Sequence, residues 1–369
     1  MNFDFFMPVK VIFGQDRKKD LGKLVGGRKT MIVTDAVMVK LGLIDSIKAC
    51  IDAEVVVFDG IEPNPTVESV NEAARIGRAQ KIECVIGVGG GSSMDAAKAI
   101  ATMITAEGDF EDYFYGTRLI THKRVGLYVM PTTSGTGSEV TSVGVFTDKK
   151  KNFKKPFLSN EFFVDAAILD SKLTHTMPKR VTAVTGFDAF CHAIEAYWSV
   201  NAQPISDGAG LLACDLVIRN LKKAFDDGSD STARDNMAMA SLMAGVAFSQ
   251  TRTTACHGIS YPLTTYGKFD HGSACAITLV SFIRFNYSVA KEKMDRLIAF
   301  CGFKSNDELA DFMQGLMEYT GMITRLSAAG ITENMLDTIV DEGFAHNLTK
   351  LNPRVVDKDS LSKILKALF

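Results

Sequence analysis

The sequence predicts an α/β N-terminal domain, with a doubly wound and mostly parallel sheet, followed by an all-α C-terminal domain. Three observations predict it. Short β-branched runs alternate with helical patterns through the first half, which implies parallel strands with crossover helices. The strand pattern stops after Ala166–Leu169, and the rest reads as helix almost without break to Phe369. A chain of 369 residues is long enough for two ordinary domains. The change of pattern near Asp170–Pro178 places the boundary, giving domains 1–175 and 176–369.

Taken in order, Val9–Phe13, Thr30–Thr34, Glu54–Phe58, Cys84–Val88 and Val125–Met130 read as strands, being short, β-branched and bounded by polar or glycine turns. Helical patterns fill the gaps at roughly Asp16–Leu24, Val37–Ala53, Thr66–Lys81 and Ser93–Ile104. Asn64-Pro65-Thr66 reads as a helix start, with Glu68 in the first turn where the dipole favours an acid. In the second half, Ser305-Asn306-Asp307-Glu308 reads as a capping box, and Thr332 and Ser360 as the starts of two further helices.

Composition removes several function classes. The formal net charge is −2 and no basic stripe stands out, which argues against nucleic acid as a partner. The one dense basic run, Lys149–Lys155, reads as a solvated hairpin tip. The longest apolar stretches fall well short of a membrane span, and the N-terminus shows no secretory signal. Seven cysteines, scattered singly with no CxxC pair, fit reduced thiols in the cytoplasm.

Two loops carry the first chemical signal. The strand ending in Val88 runs into Gly89-Gly90-Gly91-Ser92-Ser93 and a helix. Glycines let the backbone approach a ligand closely, and the helix N-terminus favours an anion such as a pyrophosphate. A second polar turn, Pro131-Thr132-Thr133-Ser134-Gly135-Thr136-Gly137-Ser138-Glu139, follows the strand ending at Met130. Loops of this kind at the C-terminal ends of parallel strands are what a nucleotide needs. Asp35, at a third strand end, reads either as acceptor for a ribose diol that repels a 2′-phosphate or as a plain helix N-cap.

The second signal is Val181–Ser199, a helical run in which Asp188 and His192 stand four residues apart and so share a face. Both side chains are ordinary ligands of divalent first-row metals. By itself the pair also fits a solvated helix face.

Together, GGGSSMDAAK at Gly89–Lys98, PTTSGTGSE at Pro131–Glu139, TGFDAFCHAIEAY at Thr185–Tyr197 and two later histidines resemble the iron-containing (group III) alcohol dehydrogenase family over essentially the whole chain. The resemblance implies a dinucleotide-binding domain followed by an all-helical metal-binding domain, in the architecture shared with dehydroquinate synthase. It implies one divalent metal, Fe²⁺ or Zn²⁺, held by Asp188, His192, His257 and His271. It implies a nicotinamide cofactor against Gly90, Gly91, Ser92, Asp95, Thr132, Thr133, Lys154 and Leu173, and the Asp35 carboxylate, which would repel a 2′-phosphate, favours NAD(H) over NADP(H). The implied reaction passes hydride between nicotinamide and a short alcohol or aldehyde in a homodimer or higher homo-oligomer. His122, His175 and His346 fall outside the pattern and read as surface or structural residues.

Two departures bear on substrate. Tyr261 stands where many members of the family carry a second histidine four residues after the third ligand, and a phenol is a poor proton relay at neutral pH. Gln250-Thr251-Arg252-Thr253-Thr254-Ala255-Cys256 replaces a small, glycine-rich run. Arg252 there suits an anionic substrate, and Ile259–Thr264 with Glu195–Asn201 resemble the phosphonoacetaldehyde reductase branch. The other reading pairs Arg252 with a nearby acid and leaves a simple butanol-type alcohol dehydrogenase. A dehydroquinate synthase-like lyase and a glycerol-phosphate dehydrogenase are rivals that the Asp188/His192 pair argues against.

Overall fold

The computed structural model describes residues 2–151 and 153–369. It divides into two units: Met7–Thr133 with Ser138–His175, and Thr176–Phe369 with Ser134–Gly137 and the N-terminal residues through Phe6.

The first unit is built on six strands: β1 (Lys10–Phe13), β2 (Thr30–Val33), β3 (Val55–Phe58), β4 (Cys84–Gly89), β5 (Gly126–Pro131) and, after a separate hairpin, β8 (Ala166–Leu169). All pair in parallel, in the order β1-β8-β5-β4-β2-β3. They match the strands read from sequence to within a residue at either end. β2 and β4 are buried at every position, as expected of parallel strands covered on both faces, and their apolar runs carry no alternation for that reason. Ile32, Ile86, Val88, Met130 and Ile168 form this core. Because β2, β4 and β5 are neighbours, their C-terminal loops lie side by side.

Some local structure differs from expectation. The run read as one helix over 37–53 is two short helices, Ala36–Lys40 and Leu43–Lys48. Gly42 between them sits at φ 70°, a left-handed turn that ends the first. Thr66 does cap the next helix, Val67–Ala79, in a reciprocal box with Ser69. The basic run is only partly a tip: Lys149–Lys151 follow β6 (Val143–Asp148), whereas Lys154 and Lys155 lie within its antiparallel partner β7 (Phe153–Leu158). Asn152 of that run is outside the described residues.

The second unit is helical. Its central helix, Lys179–Trp198, is buried at every position from Gly186 to Trp198, so it has no solvated face. Phe187, Phe190, Ile194 and Trp198 pack with Leu221 of Pro204–Asp226, Met237 of Ser231–Thr251, Ile259 of Ala255–Tyr266 and Leu279 of His271–Tyr287. Gly272 sets one close approach: a Cβ there would overlap the Val184 carbonyl and stand 3.1 Å from Asp188 Cβ. That contact brings the first residue of its helix, His271, beside Asp188.

Ser305 caps Asn306–Tyr319 as read, but Glu308 reaches back to the Lys304 amide rather than to Ser305. Thr332 precedes a short turn of helix, Glu333–Met335. Asp357 is the cap of the last helix, Lys358–Lys366, with Ser360 its reciprocal partner. Among the described residues no helix is long and apolar enough to cross a membrane.

Candidate metal centre and cofactor cradle

Asp188 and His192 lie one turn apart in Lys179–Trp198, both almost wholly buried, with His192 Nδ1 3.8 Å from Asp188 Oδ2. His257 enters from the first turn of Ala255–Tyr266, its Nε2 3.7 Å from Asp188 Oδ1. His271, the first residue of its own helix, brings Nε2 to 3.8 Å from the same oxygen. The His271 side chain is 44% exposed and forms the solvent side of the cluster. All four sequence-predicted ligands are therefore gathered at one place.

The donors fit a metal ion. Asp188 Oδ1 and His257 Nε2 are buried and lack any hydrogen-bond partner. Buried polar atoms are normally paired, so two that face each other just beyond hydrogen-bond range call for a third party. Donors about 2.1 Å from a tetrahedral ion stand about 3.4 Å apart, close to the spacing seen. The tightest grouping among the described residues is Asp188, His257, His271 and Cys275, whose donor atoms all lie within 4.8 Å of one another. It differs from the sequence-based set in one member. His192 Nδ1 is 3.2 Å from the Gly135 carbonyl oxygen, and its ring stacks on Phe248 at 4.3 Å and meets the tilted His257 ring at 4.4 Å. Burial pushes the His192 imidazole down to about 4, against the pull of Asp188, so the ring is neutral as a ligand must be. Burial opposes ionisation of Asp188, but the surrounding imidazoles prevail and hold its carboxyl well below the usual range.

Sequence reasoning missed three neighbours. Cys275 stands four residues after His271, on the same helix face, with Sγ 3.9 Å from His271 Nε2. Glu195 follows Asp188 and His192 at i+7 and i+3 and is wholly buried beside His257. In both, the helical spacing from a ligand was the available signal. His346, read as a surface or structural residue, stacks on Tyr261 with ring centroids 4.5 Å apart, a structural contact that the sequence did not show. Leu348 N donates to its Nδ1. No local pattern announces that pairing.

Arg252 ends the helix Ser231–Thr251 at φ 64°, ψ 175°, a backbone region that side chains other than glycine rarely adopt. The turn is held by its neighbours: Arg252 N donates to Phe248 O, Thr251 Oγ1 donates to Arg252 O, and Ser199 and Asn201 donate to Thr251 O. The guanidinium has no hydrogen bond or ion pair among the described residues. Its charge reaches both Tyr261 and His346, after burial the next influence lowering His346.

In the first unit Asp35, Gly90, Ser92, Thr132, Thr133 and Lys154 gather around the glycine turn, whereas Asp95 and Leu173 are engaged inside the fold. Gly89 sits at φ 146°, where a Cβ would overlap Ser93 and lie 3.5 Å from Asp35 Oδ2. Gly90 precedes the helix Gly91–Met103, which has no side-chain cap, so its first amides are left for a ligand. A Cβ on Gly90 would be 3.4 Å from Thr133 Oγ1, and Thr132 N donates to Gly89 O. Ser92 Oγ accepts from Asn64 N, and Lys154 Nζ donates to Asn64 Oδ1, so Asn64 ties the glycine turn to β7. Asp35 is an N-cap, its Oδ1 accepting from Val37 N and Met38 N, while Oδ2 faces the glycine turn. The two readings of Asp35 are thus compatible. Asp95 spends both oxygens on Ser138 Oγ and Val145 N, beside the buried Lys98 amine, and positions the second loop. Leu173 packs in the core of the sheet.

Comparison with known proteins adds the following. The model of iron-containing alcohol dehydrogenases matches residues 8–171, and that of the C-terminal part of the Fe-containing alcohol dehydrogenase family matches residues 182–369. The chain is 31% identical to a sulfoacetaldehyde reductase of Bilophila wadsworthia, with all of both chains covered. It is 36% identical to long-chain-alcohol dehydrogenase 1 of Geobacillus thermodenitrificans, over 94% of this chain and 91% of that one. The crystal structure of a sulfoacetaldehyde reductase from Bifidobacterium kashiwanohense in complex with NAD⁺ superposes with TM-score 0.97 at 34% identity, covering 100% of this chain and 99% of the other.

Proposed function

The chain belongs to the iron-containing alcohol dehydrogenase family, and we propose that within it this protein reduces short aldehydes bearing an anionic group, such as sulfoacetaldehyde or phosphonoacetaldehyde, with NADH. The observation that carries the reading is Arg252: a guanidinium without an acidic partner among the described residues, on a strained turn five residues before His257. Its planar fork suits sulfonate, phosphonate or carboxylate oxygens; of the threonines beside it in sequence, Thr251 Oγ1 is spent on the Arg252 carbonyl and Thr254 Oγ1 on Glu195, so the guanidinium carries the reading without them. The likeness to two sulfoacetaldehyde reductases supports it.

Asp188, His192, His257 and His271 would hold one divalent metal, with Cys275 beside them. When bound, the metal supplies Lewis acidity at a carbonyl oxygen and the nicotinamide supplies hydride. The rest is the work of this chain. Glycine-turn amides and the uncapped helix would take the pyrophosphate, and Asp35 Oδ2 the ribose diol, disfavouring a 2′-phosphate. Arg252 would fix the anionic end of the substrate, reducing the freedom of its carbonyl. The Tyr261 phenol would donate a hydrogen bond without acting as a base, since burial raises it above its ordinary value. Seven free thiols suit a cytoplasmic setting, and the functional form would be a homodimer or larger homo-oligomer.

A second reading, a simple primary alcohol dehydrogenase, is favoured by the likeness to the long-chain enzyme. NADH oxidation by the native protein with sulfoacetaldehyde, phosphonoacetaldehyde and butanal separates the two. A higher kcat/KM for the anionic aldehydes supports the first reading, and a higher value for butanal the second.

A further inference from the structure

Glu195 is a wholly buried carboxylate that none of the expected site residues accounts for. A bare charge in that position would cost several kcal/mol, so its partners decide what it does. Oε1 accepts from Thr254 N at 3.1 Å, Thr254 Oγ1 at 2.9 Å, Cys256 N at 2.7 Å and His257 N at 3.3 Å. Oε2 accepts from His257 Nδ1. Thr254 is the N-cap of Ala255–Tyr266 and makes no cap of its own with its side chain, which donates to Glu195 instead. Glu195 therefore caps that helix from another one, at the end where the dipole favours a negative charge. Trp198 Nε1 donates to Thr254 Oγ1 at 2.9 Å and fixes that hydroxyl from one turn further along the Glu195 helix.

One consequence concerns His257. A carboxylate can only accept, so the proton on that ring must sit on Nδ1 and leave a lone pair on Nε2. That Nε2 is the buried nitrogen without a hydrogen-bond partner, 3.7 Å from Asp188 Oδ1. The same carboxylate that holds the helix start thus sets both the tautomer and the aim of a ligand. Carboxylate–histidine–metal arrangements act in this way, and losing the carboxylate weakens metal binding roughly 10- to 100-fold.

We propose that Glu195 is the positioning residue of the metal centre, presenting His257 Nε2 to the ion while it anchors the Thr254–His257 helix start. The inference rests on the metal-centred reading above. Full-length native protein and Glu195→Gln, freed of metal with EDTA and confirmed as folded by circular dichroism, are titrated with Co²⁺. The expected result is a Kd about 10- to 100-fold weaker in the variant, with an altered Co²⁺ absorption spectrum. Equal affinities and spectra overturn the role of Glu195 alone. Native protein that takes up no Co²⁺ overturns the metal-centred reading and this inference with it. A second measurement needs no Glu195 variant. In the native chain loaded with Zn²⁺ and labelled with ¹⁵N-histidine, the ring signal absent from His257→Asn should show a protonated Nδ1 and a metal-bound Nε2. The opposite tautomer overturns the proposal.

Discussion

The Tyr261 and His346 rings stack at 4.5 Å and 22°, although Tyr261 lies within the helix Ala255–Tyr266 and His346 just past the end of Leu336–Ala345. The stack holds the phenol by packing. Tyr261→Phe preserves that packing and removes only one hydroxyl. It should keep full metal content and lose at most about tenfold in kcat, the share of one hydrogen bond of about 1 kcal/mol or slightly more. A loss of several orders of magnitude in kcat would show the phenol to be an obligatory proton donor.

The proposed metal ligands should behave differently. His271→Ala or Asp188→Ala removes one donor from a cluster whose remaining members cannot hold the ion well. Metal content by elemental analysis and turnover should fall together. A variant that keeps native metal content and rate would refute the ligand assignment.

Asp35 caps its helix and is proposed to meet the cofactor ribose, and one substitution separates the two. Asp35→Ser retains an N-cap oxygen for the Val37 and Met38 amides and discards the charge beside Gly89. Helix stability should barely move. The ratio of kcat/KM for NADH over NADPH should fall at least about tenfold, since a neutral hydroxyl no longer repels a 2′-phosphate. An unchanged ratio would mean that Asp35 is a cap and nothing more.

Glu139, buried in the second loop, is pushed up to about 7 by burial, with the Lys98 ammonium only partly offsetting it. Between its ordinary value of 4.5 and about 7 the folded chain binds a proton that the unfolded chain has lost, so stability falls as pH rises through that window. Above it the cost is up to about 3 kcal/mol. Glu139→Gln removes the dependence. Its melting temperature should match the native one at about pH 4 and exceed it at about pH 8. A constant difference across that range would show that Glu139 titrates normally.

Much of this was legible in the sequence, for physical reasons. β2 and β4 announce themselves because parallel strands buried on both faces are apolar at nearly every position. The glycine turn is legible because Gly89 needs a positive φ and has no room for a Cβ against Ser93. Asp188 and His192 are legible because one helix face carries both. Glu195 and Cys275 lie on the same two faces, yet a carboxylate or thiol in a buried helix has no local mark of its partner. Tyr261 with His346 is a tertiary pairing, invisible to spacing. The break at Gly42 was missed because apolar periodicity continues across it while the backbone turns left-handed.

The central claim is that Arg252 selects an anionic substrate, and one ratio tests it. In the native protein, kcat/KM for sulfoacetaldehyde should exceed that for butanal. Arg252→Gly removes the guanidinium and also relieves the backbone held at φ 64°, so the variant should fold at least as stably as the native chain. A charge-assisted contact contributes about 1.5–3 kcal/mol, so the variant should lose roughly ten- to a hundredfold on sulfoacetaldehyde. Its kcat/KM for butanal should stay within about threefold of native. Equal losses on both substrates, or a native preference for butanal, would contradict the account.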